Sequence, residues 1–216
     1  MKFLALDVEI SKVAIENPFD LRRWRRLGIA CAATQAADEE SPQLWYSTTS
    51  DGHYAPAMAQ GDVRDLVGYL QYMVAEGYTI LTWDGLAFDM RLLAEESGLH
   101  AECAELAVGH VDMMYQVFCL RGHQLNFEKA VEGLNLSGEI EGMSGAKAPQ
   151  MWAEGQHEKA LVHVAQNVRI KLEVASEVQR LGILPWISDS GRQSSVAIDR
   201  WLTVIEAHRL RHFAAS

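Results

Sequence analysis

The chain has 216 residues, of which 49% are hydrophobic and 22% charged, and a formal net charge of −10. This is ordinary globular composition with enough length for one substantial core. It excludes a nonspecific nucleic-acid coat, because such binding depends on Lys and Arg neutralising phosphates. An acidic chain can still handle phosphate where bound cations supply the positive charge. Cys31, Cys103 and Cys119 are scattered, odd in number and without metal-ligand spacing, which suits core positions in a reducing compartment. No apolar run approaches the roughly 18 residues of a membrane span. The expectation is a single domain over residues 1–216, soluble and cytoplasmic, with no membrane partner.

"KFLALDVEIS" opens the chain and reads as a buried strand that carries two acids. In an extended chain, Phe3, Ala5, Asp7 and Glu9 share one face while Leu4, Leu6, Val8 and Ile10 share the other. Apolar residues on both faces indicate a central strand covered on both sides. Two like charges at the end of such a strand are costly unless a cation sits with them. Alternatively the strand ends at Asp7 and the acids are solvated in a turn.

"GIACAATQ" (28–35) and "QLWYSTT" (43–49) follow as two more strands joined by a polar connection, an antiparallel beginning. "GDVRDLVGYLQYMVAEG" places Val63, Leu66, Leu70 and Met73 at helical spacing between Asp62 and Gly77. "YTILTWDG" is a short β-rich run leading into the helical "LAFDMRLLAEESG", an order that implies a crossover returning beside the first strand. From about residue 100 the pattern is mainly helical, with "QLNFEKAVEGL" and "EKALVHVAQNVRIKLEVASEVQRLG" the clearest elements. The Gly-rich "SGEIEGMSGAK" (137–147) reads as a loop, and "SVAIDRWLTVIEAHRL" as a terminal helix in a C-terminal helical extension over 183–216. Basic groups gather in "RRWRR" (22–26) and at Arg192, Arg200, Arg209 and Arg211, and read as solvated faces. The fold class is α/β, a central mixed β-sheet flanked by α-helices.

Asp89 in "WDGLAFD" lies just past the fourth strand at a helix start, an ordinary place for an Asp. Adjacent strands deliver their ends to one edge of a sheet, so Asp89 can face Asp7 and Glu9. With these residues in place, the chain resembles the DEDD-type 3′→5′ exonucleases of the ribonuclease H-like superfamily, and is similar to the proofreading exonuclease domain of family B DNA polymerases. "LDVEI" supplies the family's Asp-x-Glu pair. "DGLAFD" matches its Asn-x-x-x-Phe-Asp through Phe88 and Asp89, with Asp84 in the Asn place. "HVAQN" falls on the late helix, where one branch has Tyr-x-x-x-Asp and another a His five residues before the Asp. The resemblance covers residues 2–182.

It implies a ribonuclease H-like fold and metal-dependent removal of nucleotides from single-stranded DNA or RNA 3′ ends. By the resemblance, two Mg²⁺ or Mn²⁺ ions would be held by Asp7, Glu9, Asp89 and residue 167, with Asp7 bridging the two and hard oxygen ligands suited to those ions. Asn167 stands in the place of the fourth acid and brings no negative charge, so the chain is either a weakened or arrested exonuclease or a silent module that binds nucleic-acid ends or a nucleotide signal. His163, one helical turn before Asn167, has the residue type of one branch and the spacing of the other, and is a candidate base. Trp83, Leu86 and Phe88 flank the second motif and are candidates to stack on terminal bases, with core packing the rival role for Phe88. Asp84 would repel a phosphate. His110, Asp112 and His123 read as supporting residues. Crowded carboxylates also imply that losing Asp7 relieves repulsion and leaves the fold intact or more stable.

Overall fold

The computed structural model describes residues 1–12, 27–136, 148–188 and 191–210. The basic run at 22–26, the Gly-rich loop at 137–147 and Arg211 lie outside the described residues. Strand β1 (Lys2–Ile10) is the middle of a five-stranded sheet with β2 (Ile29–Ala36), β3 (Gln43–Trp45), β4 (Tyr78–Thr82) and β5 (Val111–Asp112), in the order β3-β2-β1-β4-β5. Strands β1, β2 and β3 pair antiparallel, whereas β4 and β5 run parallel to β1. Helix α1 (Gln60–Ala75) makes the crossover from β3 to β4, and α2 (Asp89–Ser97) and α3 (His100–Gly109) lead from β4 to β5. Each parallel step needs such a connection, because a tight turn cannot bring the chain back in the same direction.

The two faces of β1 divide as alternation demands. Leu4, Leu6, Val8 and Ile10 pack with Val63, Leu66, Val67 and Leu70 of α1 and with Leu92 and Leu93 of α2. Phe3 and Ala5 look the other way, toward α7 (His157–Leu181), where Val164, Val168, Ile170 and Val174 are buried. Asp7 and Glu9 therefore continue the row that faces α7. A register irregularity between Glu9 and Ile10 in the β1–β2 ladder comes directly after the second acid. Bulges of this kind bend a strand and re-aim its side chains.

Helices α4 (Met113–Arg121), α5 (Phe127–Gly133) and α6 (Ala148–Ala153) precede α7. The expectation of a C-terminal helical extension over 183–216 is corrected. Gly182, in a left-handed conformation at φ +70°, ends α7, and the chain enters an antiparallel hairpin of β6 (Ile183–Ile187) and β7 (Gln193–Ala197). Pro185 cannot donate to a ladder, so it is confined to a strand with a free edge, which a two-stranded hairpin provides. The terminal helix is only α8 (Val204–His208). Its start is fixed at Thr203, whose side chain forms a reciprocal capping box with Glu206, and Leu202 just before it is tied to the Gln116 side chain by a 2.8 Å hydrogen bond. No described helix is long and apolar enough to cross a membrane.

Candidate functional site: an acidic cluster with an internal lysine

The sequence repeats a polar residue every four positions along one side of α7: His163, Asn167 and Lys171. Successive members of such a series stand one above another on a helix. Because Val164, Val168, Ala175 and Val178 pin that side of the helix to the sheet, the three polar groups are pressed against the acid end of β1. Lys171 is the residue that sequence reading missed. Its signal was available, since it lies between Ile170 and Val174 on a buried face, where a lysine is rarely found without a partner.

Asp7 is held through both carboxylate oxygens. Asn167 donates from Nδ2 to Oδ2 at 2.9 Å, and the Lys171 ammonium donates to Oδ1. The same ammonium donates to the Leu6 carbonyl at 2.9 Å, and its side chain is only 4% exposed. Burial works against that charge, but Asp7, Asp89 and Glu9 together outweigh it and carry the Lys171 pKa upward.

Glu9 is buried beside His163, with Oε1 3.5 Å from Nε2. Burial, then the nearby Asp7, pushes the Glu9 carboxyl well above the usual range. Asp89 opens α2 and is buried. Its carboxyl is pushed up to about 7, mainly by burial and against the pull of Lys171, with Asp7 and Asp112 adding to the rise and a hydrogen bond from the Val8 backbone opposing it. His163 Nε2 is also 3.4 Å from Asn167 Nδ2, and burial lowers the imidazole pKa and keeps the ring neutral. Across the ladder from Glu9, Cys31 is buried and its thiol is pushed up by burial and by the two acids, which makes it an inert core thiol.

The fold thus brings Asp7, Glu9, Asp89, His163 and Asn167 to one place, but the donor set does not fit two divalent ions. The expected bridging carboxylate already accepts from a lysine and an amide, and an ammonium touching it repels any dication brought to the same oxygens. Among the described residues no group of three or more His, Cys, Asp or Glu side chains is arranged to hold a metal.

The second motif forms a tight loop on β4. Asp84 adopts a left-handed conformation at φ +64°, which Asn and Asp tolerate better than other side chains. A Cβ at Gly85 would come within 2.4 Å of Thr82 Oγ1, so the loop needs glycine there. Asp112, at the start of α4, fastens the loop by accepting from the backbone N–H groups of Asp84 and Leu86 at 3.0 and 2.9 Å, and it caps α4 through Tyr115 at 3.0 Å. Burial, then Asp112, pushes the Asp84 carboxyl up to about 6. Trp83 rests against Phe127 with ring centroids 5.1 Å apart, Leu86 is half-buried, and Phe88 packs into the α1–α2 core. His110 and His123 each engage a backbone carbonyl through Nδ1, Ala107 O at 2.7 Å and Arg121 O at 3.1 Å, and His110 also feels the charge of Asp112.

No family model and no curated protein matches the sequence. Among solved structures, the family B DNA polymerase of the hyperthermophilic archaeon Pyrobaculum calidifontis is similar over 82% of this chain, at 15% identity and a TM-score of 0.55. The fold is ribonuclease H-like. This ribonuclease H-like chain spans 24% of the polymerase it matches. E. coli exonuclease I in complex with an oligonucleotide aligns over 83% of this chain and 40% of its own, at 13% identity and a TM-score of 0.38.

Proposed function

We propose that the chain is a nucleic-acid-end module of the exonuclease type, which takes a single-stranded 3′ terminus at the Asp7–Glu9–Asp89 cleft and does not cut it by two-ion hydrolysis. The observation that carries this reading is the capture of both Asp7 oxygens by Asn167 and Lys171. A carboxylate so engaged is not free to bridge two ions. The residual acids suit an uncharged donor, because a terminal hydroxyl can donate to Glu9 or Asp89 where a phosphate would be repelled. DNA is the first choice of ligand, in keeping with the DNA polymerase to which the chain is similar.

Hydrolysis with Mg²⁺ or Mn²⁺, and His163 as the base, is the second reading. The crowding of Asp7, Glu9 and Asp89 at one sheet edge favours it, since such crowding is what two ions relieve. One experiment separates them: an end-labelled single strand is incubated with the protein and Mn²⁺, and both retention and product are followed. Retention of an intact strand with a free 3′ hydroxyl, weakened by a 3′ phosphate, is the expected result. Release of mononucleotides supports the second reading, and neither retention nor release in any condition defeats both.

A further inference from the structure

We infer that Lys171 is the resident counter-ion of the cleft, a side-chain cation in the place of divalent metal, so that the acid cluster is assembled and kept in register without bound ions. As to ligand, this rests on the reading above; as to electrostatics, it concerns the folded chain alone.

Charge carries the first part of the argument. Two dications bring four positive charges and are balanced by four acids. Here the helix face presents Asn167 in place of one acid and adds the ammonium of Lys171, while only Asp7, Glu9 and Asp89 remain. The need for external cations is therefore much reduced.

Geometry carries the second part. Lys171 reaches the same carboxylate that a bridged pair of ions would share, donates to its Oδ1 and is anchored at the Leu6 carbonyl at 2.9 Å. With its side chain 4% exposed, it lies too deep to grip a phosphate arriving from solvent. Asn167 secures the other oxygen at 2.9 Å, so the two side chains act on one carboxylate from adjacent turns of one helix. Both favour Asp7 as an internal ion-pair partner and disfavour it as a metal ligand.

The test is thermal unfolding and calorimetric titration with Mn²⁺ for the wild-type chain, Lys171→Met, and Lys171→Met combined with Asn167→Asp. The inference expects no Mn²⁺ heat for wild type and the same melting temperature in EDTA and in millimolar Mn²⁺. The double variant, with a fourth acid and no ammonium, should bind Mn²⁺ and gain about 5–10 °C at metal concentrations near 100-fold above Kd. Wild type that binds Mn²⁺ in this cleft and is stabilised by it overturns the inference, whether or not the variants fold. Oligonucleotide retention is measured on the same samples. A metal-indifferent wild type that retains no strand supports the counter-ion and defeats the proposed ligand; a metal-stabilised wild type that retains strands does the reverse.

Discussion

Asn167 donates its side-chain amide to Asp7 Oδ2 at 2.9 Å across 160 residues of sequence. Replacing that amide by a carboxylate in Asn167→Asp turns a hydrogen bond into a repulsion between two acids. In the absence of metal the variant should lose about 1–3 kcal/mol, the usual cost when a partly buried acceptor is deprived of its donor. It should not cut nucleic acid, because Lys171 still holds Oδ1. Denaturation in EDTA and an end-labelled strand assay check both halves. A gain of tenfold or more in cleavage from this single change would mean that Asn167 alone arrests the site.

Asp7→Ala separates this cleft from an ordinary crowd of acids. Crowding alone predicts that losing one carboxylate is harmless or stabilising, but Asp7 is the direct partner of a buried ammonium. Removing one member of a buried ion pair leaves the other uncompensated and typically costs about 3–5 kcal/mol. Asp7→Ala should therefore be strongly destabilising, while Asp7→Ala with Lys171→Met should recover much of the loss. A double-mutant cycle by urea unfolding measures the coupling, and additive effects would show that the pair contributes nothing.

Asp112 gives the cleft its second-motif loop. Asp112→Ala leaves the N–H groups of Asp84, Leu86 and Tyr115 without their acceptor and should cost about 3 kcal/mol or more, at roughly 1–3 kcal/mol for each stranded group. Asp112→Asn keeps one oxygen and should fall between. Hydrogen exchange at Asp84 and Leu86 should accelerate in both variants, and unchanged protection there would show that the loop is held by other means.

Much of the sheet was legible because alternation and helical spacing are strong signals. The opening strand, the antiparallel start, the α1 crossover and the placing of Asp7 and Glu9 on one face all follow from residue order along β1 and α1. The convergence of Asp89 with them followed from the rule that parallel strands bring their ends to one edge. What was illegible had weak local signals. Strand β5 has only two residues, Val111 and Asp112, and exists because β4 offers it a partner. The β6–β7 hairpin was hidden by Ile198, Leu202 and Ile205, whose i, i+4, i+7 spacing just beyond it suits a helix, and its pairing is fixed by Ile183↔Ala197 and its neighbours rather than by propensity. Lys171 was overlooked because a lysine on a long helix is normally a solvated group. Its place on the buried face of α7 signalled that it needs a partner, and the packing of α7 against β1 shows that the partner is Asp7.

The protonation of Asp89 should be visible in stability. Burial pushes its carboxyl up to about 7 in the folded chain, against about 3.9 for an unfolded Asp. Between those values the folded state binds the extra proton, so the contribution of Asp89 to stability is fully present below about pH 4. It is lost as pH rises through about 7. Glu9 acts with the same sign. His110 and His163, buried and held neutral, act in the opposite sense and lose stability as pH falls through the usual histidine range. The wild-type profile is therefore a compromise, and the difference between it and Asp89→Asn isolates the carboxyl. Unfolding midpoints of the two chains should converge at acidic pH and diverge in favour of Asp89→Asn as pH rises toward about 8. A constant gap across that range would show that Asp89 is ionised throughout, with Lys171 balancing it as fully as it balances Asp7.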